Sequence, residues 1–274
     1  MEAQGLRDEV GKVTSWYHTI ELPGGVRTPG LYDTVDTLRH VPLPASLAGK
    51  RCLDVATNNG FWAFEMEKRG ADEVVAMDLG GQWEKIDFPA GLGEAFAERD
   101  IEPSGNGFEI AHRALDSKVE YRALSVYELD PDIVGEFDFV FLGALLLHLR
   151  DPVKALTAIR SVTRGTLFVN EAISVPLTLL RPRNPTVRLI GQDGPNWWVP
   201  NLAALKRMLL AAGFDVQKVG RPYGQKWGAG AEAAWKQTPD RIKVRGITRM
   251  LGRRFIGIPH IWLTAVPHRH GPSG

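Results

Sequence analysis

The sequence predicts an α/β fold built on a seven-stranded, mostly parallel sheet with helices on both faces. Short apolar runs such as 52–56 and 74–78 alternate with segments of helical apolar spacing, which is the element order of a parallel sheet. This alternation continues to residue 219. A last apolar run at 258–266 follows an insertion, which favours an antiparallel final strand. Hydrophobic residues make up 44% of the chain, enough for a large core.

Composition excludes several classes of protein. The formal net charge of the 274 residues is +1, which does not favour general binding to polyanions. The single cysteine, Cys52, excludes an internal disulfide, and no cysteine or histidine spacing indicates a metal site. The first residues are polar, and no apolar run approaches the ~18 residues of a membrane span. We therefore expect a cytoplasmic protein without a metal or a membrane partner.

The individual elements follow from apolar spacing and from end signals, such as Asp151 and Pro152 at the start of a helix. The predicted helices cover 31–41, 61–70, 91–99, 108–117, 151–163, 200–213 and 240–255. The predicted strands cover 52–56, 74–78, 118–124, 136–142, 165–171, 214–219 and 258–266. The remaining segments are predicted to be a flap at 15–30, a connection at 172–199 and a loop at 220–238. We expect a cap at 1–45 and one domain at 46–268, with 220–256 as an insertion.

The chain is organised around residues 51–78, which read as strand, turn, helix and strand. The first strand carries Asp54, a polar turn ends at Gly60, and the second strand stops at Asp78. Such a unit is typical of adenosine binding, because the turn lets backbone approach the ligand and the acid accepts hydrogen bonds from ribose hydroxyls.

These residues resemble the class I S-adenosylmethionine-dependent methyltransferases, whose fold is Rossmann-like. In that family an acid in a strand is followed by G-x-G-x-G. Here Asp54 leads to Ala56 and Asn58 at two of the glycine positions and to Gly60 at the third. Asparagine is the side chain most tolerant of positive φ after glycine. By resemblance, Asp78 would bind the ribose and Ser125-Val126 would contact the adenine.

A closer resemblance is to the tRNA wobble-uridine carboxymethyltransferase group. The shared motifs are FD-x-V-F at 137–141, H-x-R-x-P at 148–152, and the stretch from Asn196 to Phe214. That group has a tyrosine before the histidine and an arginine after it, which grip the carboxylate of a carboxylated cofactor. This chain has Leu147 and Leu149 there, and an apolar pair does not offset the burial of a carboxylate. The expected cofactor is therefore ordinary S-adenosylmethionine.

The candidate site residues fall into three groups. The cofactor-binding group is Asp54, Ala56, Thr57, Asn58, Gly60, Asp78, Leu79, Gln82, Trp83, Ser125 and Val126. The candidate catalytic residues are His148, Glu171 and His18, and the candidate substrate-lid residues are Trp16, Tyr17, Trp197 and Trp198. Each has a structural alternative: His148 bracing the next helix, Glu171 in an ion pair, Gln82 and Trp83 in a surface loop, or a tryptophan in the core.

The predicted function is methyl transfer to a hydroxyl or other nucleophile of a small molecule, such as a sugar or secondary metabolite. The first alternative is a tRNA-modifying enzyme, since arginines recur every four residues in the basic segment 241–254. Such a stripe is also typical of the solvated face of a packed helix. The second alternative is a cofactor-binding protein without activity. The acceptor and the oligomeric state stay open.

Overall fold

The computed structural model describes residues 2–82, 85–89, 105–191, 195–231 and 257–268. Its helices are α1 Ala3–Lys12, α2 Thr34–Thr37, α3 Phe61–Lys68, α4 Gly105–Ala114, α5 Pro131–Val134, α6 Pro152–Val162, α7 Val175–Leu180 and α8 Leu202–Ala211. Its strands are β1 Trp16–His18, β2 Glu21–Leu22, β3 Val26–Arg27, β4 Gly30–Tyr32, β5 Arg51–Val55, β6 Glu73–Asp78, β7 Glu120–Ala123, β8 Phe137–Gly143, β9 Thr163–Ala172, β10 Val187–Leu189, β11 Trp198–Pro200, β12 Phe214–Val219, β13 Tyr223–Gln225 and β14 Ile258–Pro267.

The central sheet has the strand order β12-β14-β9-β8-β5-β6-β7, with the short β13 pairing on β14. Strands β9, β8, β5, β6 and β7 are mutually parallel, whereas β14 runs antiparallel to both β9 and β12. The predicted seven-stranded sheet with an antiparallel last strand is thus confirmed, and β13 is an eighth member. The carboxyl ends of the five parallel strands meet at one edge, where open α/β sheets bind their ligands.

Two apolar cores lie on the two faces of this sheet. Strand β5 contributes to both, because its residues alternate: Leu53 and Val55 face one core, while Cys52 faces the other. The first core includes the inner faces of α6 and α8, and the second includes that of α3. Burial on both faces explains why β5 reads as a continuous apolar run.

The N-terminal segment differs from its prediction. Residues 16–18 are expected in a flap but form the buried strand β1, which pairs in parallel with β4. The predicted helix at 31–41 is reduced to the single turn α2, since Tyr32 belongs to β4. A close approach fixes this pairing: a Cβ on Gly30 would lie 2.2 Å from the backbone nitrogen of Thr19. The local apolar spacing indicates a helix, but the pairing of β1 with β4, which needs a glycine at position 30, determines the structure instead.

The connection at 172–199 also contains more regular structure than expected. It holds α7, β10 and part of β11, and β10 pairs antiparallel with β11. The predicted helices at 91–99 and 240–255 lie outside the described residues. None of the helices in the described ranges is long and apolar enough to cross a bilayer.

Candidate active site

The turn after β5 adopts a left-handed backbone without a run of glycines. Ala56, Asn58 and Gly60 have φ values of 59°, 48° and 89°. At Gly60 a side chain is also excluded by space, because a Cβ would lie 2.6 Å from the Phe64 ring. The Thr57 N–H donates to the carbonyl of Met77 at 2.9 Å and ties the turn to β6. The turn has the geometry that lets backbone approach a ligand.

Asp54 is buried beneath this turn and holds it in place. Its Oδ2 accepts hydrogen bonds from the Thr57 hydroxyl at 2.6 Å and from the Ala63 N–H at 3.1 Å. Burial raises the pKa of Asp54 to about 7, and the two hydrogen bonds oppose that rise. Asp54 therefore joins the end of β5 to the first turn of α3. Its contact with a cofactor stays a prediction.

Asp78 lies at the carboxyl end of β6, half-buried beside the turn. Its Oδ2 accepts from the N–H of Asn58 at 2.8 Å, and its Oδ1 accepts from the N–H of Leu79 at 2.7 Å. These two bonds fix the plane of the carboxylate at the sheet edge. An ionised carboxylate is an acceptor only, with about four lone-pair sites on its two oxygens.

The loop after β7 closes the same side of the edge. The N–H of Leu124 donates to the carbonyl of Asp78 at 2.8 Å, which brings Ser125 and Val126 next to β6. Both residues are buried, and Ser125 caps a short 3-10 turn through a capping box with Glu128. The structure thus groups Asp78, Leu79, Ser125 and Val126 on the β6–β7 side, as the sequence predicts.

Gln82 follows the glycine pair after β6. Its Oε1 is buried and has no hydrogen-bond partner among the described residues. A buried acceptor of this kind costs free energy unless a ligand or water satisfies it, so Gln82 fits a site for a group that donates hydrogen bonds. Trp83, the other candidate of this loop, lies outside the described residues.

His148 lies in the turn after β8, on the other side of β5. Its Nδ1 is 2.9 Å from the carbonyl oxygen of Pro195. A carbonyl only accepts, so Nδ1 carries a proton and Nε2 carries the lone pair of the neutral ring. Burial lowers the pKa of His148 below its usual value, although the bond to Pro195 opposes this shift. A neutral imidazole with a defined tautomer can act as a base.

Glu171 is the penultimate residue of β9 and has 1% of its surface exposed. Its Oε1 accepts from the N–H groups of Leu145 and Leu146 at 2.7 Å and 2.9 Å. Burial raises the pKa of Glu171 to about 7, against the effect of these bonds. The carboxyl group thus supports the turn that carries His148, and no ion pair at the helix layer is found for it within the described residues. A direct role in catalysis stays a prediction.

The strand β1 lies against the turn at 56–60, where the cofactor is predicted to bind and which we call the cofactor turn. The side-chain oxygen of Asn59 accepts from the N–H of Tyr17 at 2.7 Å and from that of His18 at 3.3 Å. His18 is 4% exposed, and its Nδ1 has no partner among the described residues. Burial lowers its pKa to about 3, so the ring is neutral. Burial raises the pKa of Tyr17. Glu171 and two further tyrosines lie within electrostatic range and raise that pKa further.

The four candidate lid residues do not behave alike. Trp16 belongs to the core, with its Nε1 donating to the carbonyl of Val10 at 3.0 Å, so it is not a lid residue. Trp197 and Trp198 are half-buried beside the His148 turn, and their Nε1 atoms donate to the carbonyls of Asp87 and Leu149. They brace neighbouring loops, whereas Tyr17 is half-buried on β1, and its role as a lid residue stays a prediction.

Three further residues of this edge are not among the candidates predicted from the sequence. Asn59 joins the turn to β1, as described above. Asp87 accepts from the Tyr127 hydroxyl at 2.8 Å and from the Arg150 N–H at 2.6 Å, and so joins the loops after β6, β7 and β8. Tyr32 stacks on Trp227 with ring centres 5.1 Å apart. These contacts join positions 40 to 195 residues apart, so no local pattern marks them.

The sequence comparisons agree with this geometry. A family model described as a methyltransferase domain matches residues 32–219. A tRNA U34 carboxymethyltransferase from Stutzerimonas stutzeri is 30% identical over 179 residues, which are 63% of this chain and 48% of that protein. A ubiquinone biosynthesis O-methyltransferase from Acinetobacter baumannii is 28% identical over 178 residues, or 64% of this chain and 60% of that one. The chain spans about half the length of the tRNA-modifying relative.

Solved structures show the same fold at low sequence identity. The N-terminal domain of EvdMO1, solved with SAH and D-fucose, is 15% identical, covers 98% of both chains and has a TM-score of 0.55. The [4+2]-cyclase SpnF is 17% identical, covers 97% of this chain and 93% of its own, and has a TM-score of 0.53.

The family match extends from β4 to β12 and includes the cofactor turn, Asp78 and His148. It covers 188 of the 274 residues, counting 32–219 inclusive. The chain therefore belongs to the class I S-adenosylmethionine-dependent methyltransferases.

Proposed function

We propose that the chain transfers the methyl group of S-adenosylmethionine to a hydroxyl, or to another nucleophilic atom, of a small molecule such as a sugar or secondary metabolite. Family membership and the left-handed turn beside Asp78 support the cofactor. Leu147 and Leu149 flank His148 and are both buried, so the turn itself offers no cation to a carboxylated cofactor. The plain cofactor fits this apolar pair better.

The two sides of the sheet edge suggest separate places for the cofactor and for the methyl acceptor. Asp78 and Ser125, on the β6–β7 side, would hold the ribose and the adenine, and Gln82 Oε1 would accept a hydrogen bond there. When bound, S-adenosylmethionine supplies a methyl group on a positively charged sulfur, which is already activated for attack. The acceptor would then lie over the carboxyl ends of β8 and β9, near the turn that carries His148 and near Glu171.

His148 would act as the base in this arrangement. Its Nε2 lone pair would take the proton of the acceptor hydroxyl as the new oxygen–carbon bond forms. The Pro195 carbonyl holds the required tautomer, and Glu171 holds the turn. Because alignment of the acceptor with an activated methyl supplies much of the rate, the base need contribute only part of it.

One observation carries the preference for a small molecule. The polar groups of the predicted site are shielded from solvent: His18 and Glu171 are 4% and 1% exposed, and Tyr17 lies within electrostatic range of Glu171. A small ligand can be enclosed by such a site, whereas a nucleotide of folded tRNA keeps its backbone outside.

The tRNA-modifying relatives keep tRNA as the second candidate. A cofactor-binding protein without methyl transfer is the third, since a structural neighbour is described as a [4+2]-cyclase.

One assay separates all three candidate functions. The protein is incubated with methyl-labelled S-adenosylmethionine and an extract divided into small molecules and tRNA. Label in the small-molecule fraction, with matching S-adenosylhomocysteine, is the expected result. Label in tRNA alone would favour the second candidate, and cofactor binding without label in either fraction would favour the third.

A further inference from the structure

An apolar surface stands out on the segment between β9 and β11. The structure's described residues include seven large apolar side chains that are exposed, and four of them lie here. Leu179 and Leu180 at the end of α7 are 71% and 78% exposed, and Leu189 on β10 is 65% exposed. Single exposed leucines need no explanation, but a cluster on one short segment indicates an interaction surface.

The same segment is basic. Arg181, Arg183 and Arg188 are exposed, and none forms an ion pair with any described residue. No aspartate or glutamate occurs from 172 to 191. Residues 179–183 and 187–189 thus carry exposed apolar and positively charged side chains, and we call these two stretches together the leucine–arginine surface.

A buried asparagine holds this surface in a fixed conformation. Asn201, the N-cap of α8, is 0% exposed. Its Nδ2 lies 2.9 Å from the carbonyl oxygens of both Arg181 and Asn184, and its Oδ1 accepts from the N–H of Thr186 at 3.1 Å. The buried amide of Asn201 thus fixes the backbone from 181 to 186. In this fixed conformation the leucines on either side of it are exposed to solvent.

The leucine–arginine surface also adjoins the candidate site. Strand β10 pairs with β11, so that Leu189 lies opposite Trp198. The N–H of Ile190 donates to the carbonyl of Trp197 at 2.8 Å. A partner on this surface would lie beside the loop that supports His148.

We propose that the leucine–arginine surface binds anionic phospholipid membranes, with the leucines among the acyl chains and the arginines at the headgroups. Self-association fits poorly, because a twofold contact would place the unpaired arginines of two copies together. Nucleic acid offers phosphates but no apolar phase for the leucines. Peripheral binding of this kind needs no helix that crosses the bilayer, and the described part of the chain contains none. The proposal stands apart from the proposed function, since it concerns binding without catalysis.

The test is co-sedimentation of the full chain with two kinds of vesicle, without cofactor or acceptor. One kind is phosphatidylcholine alone, and the other also contains phosphatidylglycerol. The variants are Leu179→Ser with Leu180→Ser, and Arg181→Gln with Arg183→Gln. The control variants are Ile133→Ser and Arg39→Gln, which remove an exposed apolar and an exposed basic side chain elsewhere. Far-ultraviolet circular dichroism and thermal unfolding verify that each variant is folded.

We expect the wild type to bind the phosphatidylglycerol vesicles at low salt, and each double variant to bind them about tenfold more weakly. The controls should bind like the wild type. Absence of wild-type binding to anionic vesicles would overturn the proposal, as would equal binding by the double variants. A concentration-dependent dimer that the leucine variant loses in analytical ultracentrifugation would overturn it in favour of self-association.

Discussion

The side-chain oxygen of Asn59 accepts a hydrogen bond from the backbone N–H of Tyr17 at 2.7 Å. This bond joins the left-handed turn, where the cofactor is proposed to bind, to strand β1 of the N-terminal segment. It connects positions 42 residues apart in sequence. The N-terminal segment is therefore attached to the cofactor turn itself, and a change in one is expected to reach the other.

Asn59→Ala should destabilise the protein by about 1–3 kcal/mol. It leaves the buried N–H groups of Tyr17 and His18 without their acceptor, and an unsatisfied buried donor costs an amount of that order. Urea denaturation measures the change. Asn106→Ala, at an exposed position of α4, serves as the control and should stay within about 0.5 kcal/mol of the wild type. Equal effects of the two substitutions would contradict the role given to Asn59.

Ala56→Gly should leave cofactor affinity within about threefold, because glycine adopts the φ of 59° more easily than alanine does. Gly60→Ala should weaken binding by tenfold or more, on the order of 1.4 kcal/mol, since its Cβ would meet Phe64. Gly49→Ala is the control, because Gly49 also has a positive φ, of +72°, but no neighbouring atom within 4 Å. It therefore measures the cost of backbone strain without a steric clash. Titration calorimetry supplies the affinities. Full affinity in Gly60→Ala would show that the turn does not form the site.

Glu171 should make the free energy of unfolding fall as the pH rises. The folded-state pKa of about 7 lies above the ordinary 4.5, so the folded protein holds this proton more tightly. Its contribution is complete below pH 4.5 and is lost as the pH rises towards 7, by at most about 3 kcal/mol. Asp54 contributes with the same sign.

Glu171→Gln keeps an oxygen that accepts from Leu145 and Leu146 but removes the titration. Denaturation at several pH values should then show a shallower fall for this variant. Glu109→Gln, an exposed glutamate on α4, is the control and should follow the wild type. Parallel curves for all three proteins would rule out a titrating Glu171.

His148→Gln should lower kcat for methyl transfer to a hydroxyl by about 10²–10⁴, the usual contribution of a general base. Cofactor affinity should change little. The wild-type rate should fall only below pH 6.5, because the pKa of His148 is lowered, and the variant should lack this limb. His112→Gln is a matched control, since His112 also contacts a backbone carbonyl, that of Val119 at 3.1 Å. Full turnover by His148→Gln would exclude it as the base.

The sheet could be predicted because its signals are local. Strand β5 is apolar on both faces, Asp151 and Pro152 mark the start of α6, and Asn201 marks that of α8. Asp54 and Asp78 could be predicted as site residues because they lie at or near the ends of predicted strands. The N-terminal segment could not be predicted, because β1 depends on β4 and on the close approach at Gly30, contacts that spacing does not encode.

The roles of the polar residues are also partly beyond sequence reasoning. Glu171 reads as a base or an ion-pair partner, but its carboxyl group accepts from two backbone amides that lie 25 and 26 residues away. Trp16 reads as a lid residue, yet its indole is buried. The partners of Glu171 are set by packing across the sheet edge, and the burial of Trp16 by its place in the core, and residue type alone reveals neither.

The central claim is that the Ala-Thr-Asn-Asn-Gly turn and Asp78 bind S-adenosylmethionine. Titration calorimetry of the wild type with S-adenosylmethionine, alongside Asp78→Ala, tests it most directly. The account predicts a single site with micromolar affinity, weakened at least about tenfold by Asp78→Ala because the ribose would lose its acceptor. Absence of binding to the folded wild type at millimolar cofactor would contradict it.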